Sequence, residues 1–128
     1  MSRIAIVNGN VLTPTYRLER GVVLVEGNKI AAVARGPALA IPADAQIIEA
    51  QGLTVCPGFI DVHVHGGAGH DTMDATPEAL TGMSAFFARH GVTGFLPTTV
   101  TASREATLAA IRAVADHQQA RPAGAQTL

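Results

Sequence analysis

The sequence predicts an α/β chain in two parts: a β-rich segment over residues 1–56, then the start of a parallel array of strands and helices over residues 57–128. Three observations predict it. Runs rich in Val and Ile, punctuated by Gly, Asn and Pro, crowd the first part. After Pro57 the apolar spacing switches between strand-like and helix-like blocks. Strands that alternate with helices pack as a parallel sheet with right-handed crossovers.

In order, "RIAIVNG", "GVVLVEG", "KIAAVAR", "QIIEA" and "LTVC" read as short strands. Gly-Asn within "EGNK" (26–29) is a hairpin turn signal, and "NGNVLTP" (8–14) supplies another turn. The expectation for this segment is a small antiparallel β region. "FIDVHVH" (59–65) is the next strand, and "ATPEALTGMSAFFARHG" (75–91) is a helix. Thr76 suits its N-cap, Pro77 its first position and Gly91 the position just past its end. Leu80, Met83 and Phe87 share one face. "VTGFLPTTV" (92–100) is a second strand, and "SREATLAAIRAVADHQQAR" (103–121) a second helix, capped by Ser103 and stopped before Pro122. Its expected buried face is Leu108, Ile111 and Ala115. "ARPAGAQTL" reads as a loop in which a third strand begins.

Composition narrows the function classes. Of 128 residues, 48% are hydrophobic and 15% charged, which excludes a disordered chain. Nine basic against ten acidic side chains, with no basic cluster, argue against a nucleic-acid or anionic-membrane partner. One cysteine, Cys56, allows no intrachain disulfide, and it reads as a small core residue rather than a nucleophile. "MSRIAIVNGN" lacks the apolar core of a signal peptide, and no stretch nears the ~20 apolar residues of a membrane span. A cytoplasmic protein is expected.

The chemistry concentrates in "PGFIDVHVHGG" (57–67). His63 and His65, at i and i+2 on a strand, point to the same face, ~6–7 Å apart along it. Two imidazoles so placed can converge on one metal ion. In parallel α/β folds the C-terminal ends of the strands carry the site, and this pair stands at such an end. Gly66 and Gly67 let the chain leave sharply. A His-X-His pair alone also occurs on ordinary exposed strands. The apolar neighbours Phe59, Ile60, Val62 and Val64 strengthen the metal reading, because a polar face on such a strand needs a reason.

Asp61 lies on the same face, one step deeper, in a supporting role: orienting a histidine ring or making a structural hydrogen bond. His70 reads as a solvated loop residue. His90 suits a helix C-terminus, and His117 reads as exposed. Thr98 and Thr99 either line the mouth of the site or satisfy local backbone groups.

These motifs resemble a known family. "PGFIDVHVHGG" is similar to the first barrel strand of the amidohydrolase superfamily, with its Gly-Phe/Leu-Ile-Asp-X-His-X-His pattern. "HGGAGHDTMDATPEAL" followed by "HGVTGFLPTTVT" looks like the N-acetylglucosamine-6-phosphate deacetylases. The resemblance covers essentially the whole chain. It implies that residues 1–56 contribute to a small β-sandwich and that residues 57–128 hold the first two β-α units of an incomplete, metal-dependent (β/α)8 barrel. It implies hydrolysis of N-acetylglucosamine 6-phosphate to glucosamine 6-phosphate and acetate. His63 and His65 correspond to ligands of one metal ion, alone or one of a pair. Zinc is the first expectation, with iron or another transition metal as alternatives. A homodimer is implied for the full-length enzyme.

The family's ligand glutamate, further metal histidines, substrate contacts and catalytic aspartate are expected beyond Leu128. The 128-residue chain is therefore expected to be an N-terminal portion, inactive alone, a weak metal binder and prone to aggregate. Two other readings stay open: a dihydroorotase-, hydantoinase- or deaminase-like amidohydrolase, and a non-catalytic truncated product or interaction module.

Overall fold

The computed structural model describes residues 2–128. The chain divides into two compact units, the first ending at Pro57 and the second spanning Gly58–Leu128.

The first unit is one five-stranded sheet. Its strands are β1 (Arg3–Leu12), β2 (Arg17–Glu26), β3 (Lys29–Arg35), β4 (Gln46–Glu49) and β5 (Thr54–Val55). The order is β3-β2-β1-β4, with β5 also on β1. Ala5, Val7 and Val11 alternate inward along β1, and Ala5 and Val7 pack with Val22 and Leu24 of β2 in the core. The hairpin at Gly27-Asn28 forms as read, with Gly27 at φ 61°. Arg3 ties Glu26 to Asp44, and its guanidinium holds the Asp44 carboxyl below the ordinary carboxylate value.

Three expectations for this unit need correcting. The sheet is mixed, not antiparallel: β4 and β5 both run parallel to β1. The chain leaves β3 through a 3-10 turn at Gly36–Ala38 and returns in the direction of β1. The turn expected over 8–14 falls only at the end of that range, and "NGN" itself stays in the strand. The strand continues to Leu12 and takes up its irregularity as a bulge, with Asn8 at φ 61° and register shifts on either side of Gly9. The inward alternation stays in phase through Val11, so burial holds the strand together, and the reversal falls at Thr13–Tyr16. Finally, Cys56 is exposed, because only Thr54 and Val55 of "LTVC" pair into the sheet.

The second unit follows the predicted alternation. It contains β6 (Phe59–Val64), a two-residue ribbon β7 (Gly66–Gly67) and β8 (His70–Asp71), α1 (Pro77–Arg89), β9 (Val92–Pro97), α2 (Arg104–Ala120) and β10 (Gln126–Thr127). β10, β9 and β6 form a parallel sheet in that order, so the third strand does begin. The caps are those read from the sequence: Thr76 Oγ1 accepts from Ala79 N at 3.2 Å, and Ser103 Oγ from Ala106 N at 3.1 Å. Leu80, Met83 and Phe87 of α1 pack on Phe95 of β9 and on Ala125. Ser84, fully buried, donates from Oγ to Ala125 O at 2.7 Å and holds the segment that leads into β10.

The second helix corrects the expectation. Its buried residues are Ala110 and His117, with Ala113 and Val114 half-buried, whereas Leu108 and Ile111 are 39% and 51% exposed and Ala115 is exposed too. The helix packs through its small side chains, which allow close approach, and leaves its larger apolar face uncovered. His117 is thus buried, not exposed, and neither ring nitrogen has a hydrogen-bond partner among the described residues. Burial holds its imidazole below the ordinary value of 6.5. Among the described residues no helix is long and apolar enough to cross a membrane.

Candidate metal centre

β6 carries the candidate site because it is an extended strand whose odd-numbered side chains share a face. Asp61, His63 and His65 therefore emerge together, the last just past the strand's C-terminal end. The two rings meet edge to face with centroids 5.1 Å apart, and His63 Nε2 lies 3.3 Å from His65 Nε2. Two nitrogen ligands at 2.0–2.1 Å from one tetrahedral ion sit about 3.3–3.4 Å apart. The pair thus already holds the separation that a shared ion requires.

The protonation pattern follows from the neighbours. His65 Nδ1 lies 3.0 Å from Thr98 O. A carbonyl only accepts, so Nδ1 carries the proton and Nε2 keeps its lone pair. That is the tautomer in which a histidine offers Nε2 to a metal while its other nitrogen is anchored. His65 Nε2, with its lone pair, can then accept from His63 Nε2. His63 is exposed and His65 half-buried, so the pair is open to solvent on one side.

Backbone bonds fix the strand tip. Val64 N donates to Thr98 Oγ1 at 3.2 Å, and Thr98 N donates to Val64 O at 2.8 Å. Thr98 Oγ1 in turn donates to Leu96 O at 3.1 Å. Thr72 N donates to His65 O at 2.7 Å from the other flank. Thr72 opens a 3-10 turn whose capping box joins Asp71 and Asp74.

The remaining candidates separate. Asp61 Oδ1 accepts from the His63 backbone N at 3.1 Å, so it holds the strand rather than an imidazole ring. His70 is half-buried, not solvated, and its ring lies over Gly82 of α1. His90 ends α1, where its Nδ1 donates to Phe86 O at 2.8 Å. Thr99 is half-buried beside Thr98. Among the described residues no group of three His, Cys, Asp or Glu side chains gathers that could hold a metal ion, so the site offers two imidazoles. Of the two roles the sequence left open for Thr98, its hydroxyl fills the local backbone one, bonded to Val64 N and Leu96 O; that its carbonyl meets His65 Nδ1 was not read. Every residue carries a carbonyl, so no residue type signals that role.

The amidohydrolase family matches residues 54–124, more than half of the chain and all of the strand that bears the pair. The chain belongs to the amidohydrolase family. Within it, the chain is 42% identical over 87 residues to an N-acetylgalactosamine-6-phosphate deacetylase of Escherichia coli O157:H7, covering 68% of this chain and 23% of that protein. It is 44% identical over 66 residues to a dihydroorotase of Aquifex aeolicus, covering 51% of this chain and 15% of that one. Among solved structures it resembles a mutant N-acetyl-D-glucosamine-6-phosphate deacetylase from Mycobacterium smegmatis in complex with N-acetyl-D-glucosamine-6-phosphate. The TM-score is 0.81 at 32% identity, over 94% of this chain and 30% of that one. This amidohydrolase chain thus spans less than a third of each of these relatives.

Proposed function

We propose that this amidohydrolase chain is the N-terminal portion of a deacetylase that hydrolyses the acetamide of N-acetylglucosamine 6-phosphate to glucosamine 6-phosphate and acetate. The observation that carries the metal-dependent part is the convergence of His63 Nε2 and His65 Nε2 at 3.3 Å, with His65 Nδ1 anchored on Thr98 O. The likeness to two amino-sugar-phosphate deacetylases supports the choice of substrate.

In this reading residues 1–56 belong to a β-sandwich, and residues 57–128 open a (β/α)8 barrel whose first strand is β6. His63 and His65 would hold a divalent ion, zinc first. When bound, such an ion supplies Lewis-acid activation of water or of the amide carbonyl. The chain's own residues do the positioning. Thr98 holds His65 in its Nδ1–H form, and Asp61 fixes the His63 backbone. Gly66 and Gly67 do not turn the chain but pair as a strand with Asp71 and His70, and the reversal falls at Ala68 and Gly69. A catalytic zinc usually has three protein ligands, so the pair needs further ligands for tight binding and the 128-residue chain alone should not turn over substrate. The whole enzyme acts as a homodimer in the cytoplasm.

The test is acetate release by the full-length gene product, loaded with zinc, from N-acetylglucosamine 6-phosphate. The same preparation is offered N-acetylgalactosamine 6-phosphate and dihydroorotate. Preferred turnover of the glucosamine compound is the expected result. Preference for the galactosamine isomer would move the substrate within the deacetylases. Turnover of dihydroorotate without acetate release would replace the reading with the second one, which the dihydroorotase similarity favours.

A further inference from the structure

We infer that Thr98 is the positioning residue of the metal pair: its hydroxyl clamps the end of β6 so that its own carbonyl selects the metal-ready tautomer of His65. The inference rests on the metal-site reading above, but its first test needs neither metal nor substrate.

The geometry has three linked parts. The carbonyl of Thr98 accepts from His65 Nδ1 at 3.0 Å and leaves Nε2 free to face His63 Nε2. The amide of Thr98 donates to Val64 O at 2.8 Å, a bond that continues the β6–β9 ladder past the end of β9. The hydroxyl receives Val64 N at 3.2 Å and passes its own proton to Leu96 O at 3.1 Å. Val64 lies between the two histidines in sequence, so its peptide unit is the part of the backbone whose placement orients both. Thr98 holds that unit from the N–H side with its hydroxyl and from the C=O side with its amide.

The chemistry explains why a hydroxyl is needed at this point. β9 ends at Pro97, and the register between β6 and β9 shifts between Asp61 and Val64. The regular ladder is therefore interrupted just where the site begins. Val64 pairs with Pro97 just past that shift, and because Pro97 has no N–H the pair rests on the Val64 and Thr98 amides alone. A hydroxyl can accept from one strand and donate to the other at once. The Thr98 hydroxyl does both, adding a second tie between Val64 and Leu96 beside the ladder and steadying the residue whose carbonyl meets His65 Nδ1. A valine has nearly the same shape and β-branching but neither function, so it isolates the hydroxyl's contribution.

Three variants of the full-length gene product test the assignment: Thr98→Val, Thr98→Ser and, as a neighbouring control, Thr99→Val. The first readout is the His65 tautomer, measured from its ring nitrogen shifts by two-bond proton–nitrogen correlation at a pH where the ring is neutral. The second is zinc affinity by calorimetry. The parent, Thr98→Ser and Thr99→Val are expected to show His65 protonated at Nδ1 alone. Thr98→Val is expected to show a mixture of both tautomers and at least about a tenfold loss of zinc affinity, the scale on which loss of a ligand's hydrogen-bond partner acts. A Thr98→Val protein with the parent tautomer overturns the inference. So does a Thr98→Ser protein that loses it, whether or not the valine variant folds. A tautomer change without deacetylase activity in the full-length protein would sink the proposed substrate and leave this inference standing.

Discussion

Gly66→Ala should be far more damaging than Gly69→Ala, although both glycines lie in the same small hairpin. β7 and β8 pair antiparallel, Gly66 with Asp71 and Gly67 with His70. Ala68 and Gly69 connect them at φ 56° and 83°, the double positive φ that a tight two-residue turn requires. At Gly69 an added Cβ meets nothing within 4 Å, so alanine there costs only the left-handed backbone, about 1 kcal/mol. Gly66 is the opposite case. Its φ is ordinary, but an added Cβ would overlap the His70 carbonyl oxygen and stand 3.1 Å from Asp71 Cα. Both obstacles are backbone, so no rotamer change relieves them, and the ribbon must open. Opening also strains the Thr72 N to His65 O bond of 2.7 Å. Overpacking plus the loss of one or two hydrogen bonds comes to about 3 kcal/mol. Urea unfolding of the 128-residue chain, followed by far-ultraviolet circular dichroism, measures both variants, and the His65 ring resonances report the site. If Gly66→Ala unfolds at the same urea concentration as Gly69→Ala, with His65 unmoved, the steric argument and the hairpin's role in bracing the site are both wrong.

Two further outcomes follow from the second unit. Phe95 is fully buried and stacks edge-on against Phe87 with centroids 4.9 Å apart, so Phe95→Ala should cost about 3–5 kcal/mol of unfolding free energy. A loss below about 1 kcal/mol in urea titration would mean that this core is not packed as described. His117 gives a pH dependence. Burial lowers its folded-state value, so as pH falls the unfolded chain takes up the proton first. Stability from this residue is complete above 6.5 and declines as pH drops below it toward the folded value, by at most about 1.4 kcal/mol per pH unit. Comparing urea midpoints at pH 7.5 and 5.5 for the parent and for His117→Phe checks it. An unchanged pH slope in the variant would refute the assignment.

What the sequence revealed, and what it hid, divides along physical lines. Local signals were legible. Thr76, Pro77 and Ser103 marked helix starts because capping is a bond within one turn. Gly27-Asn28 marked a hairpin because positive φ is a property of the residue. The i, i+2 spacing of His63 and His65 placed the two rings together because strand periodicity alone puts them on one face. Signals that depend on the partner were not legible. The direction of β4 and β5 relative to β1 is set by tertiary pairing, and nothing in "QIIEA" encodes it. α2 has two faces at helical spacing, one of large apolar residues and one of alanines. Size pointed to Leu108 and Ile111, but close packing chose the face of Ala110 and Ala113, and His117 came with it.

The histidine pair is held in place by the chain's own hydrogen bonds. Bringing two imidazoles to 3.3 Å costs side-chain freedom, and here that cost is met by the fold. His65 is held by a carbonyl on one ring nitrogen and by Thr72 on its backbone oxygen. His63 is held through its own amide by Asp61. The two bonds to His65 join it to neighbours that the helical packing has already placed: Thr98 follows β9, and Thr72 opens the turn that packs beneath α1 and α2. Were His63 and His65 to hold an ion, the separation of their Nε2 atoms would already be set by these bonds. Affinity should then track the integrity of this hydrogen-bonded frame as closely as it tracks the ligands, which is why replacing Thr98 or Gly66, neither of them a ligand, should be felt at the pair.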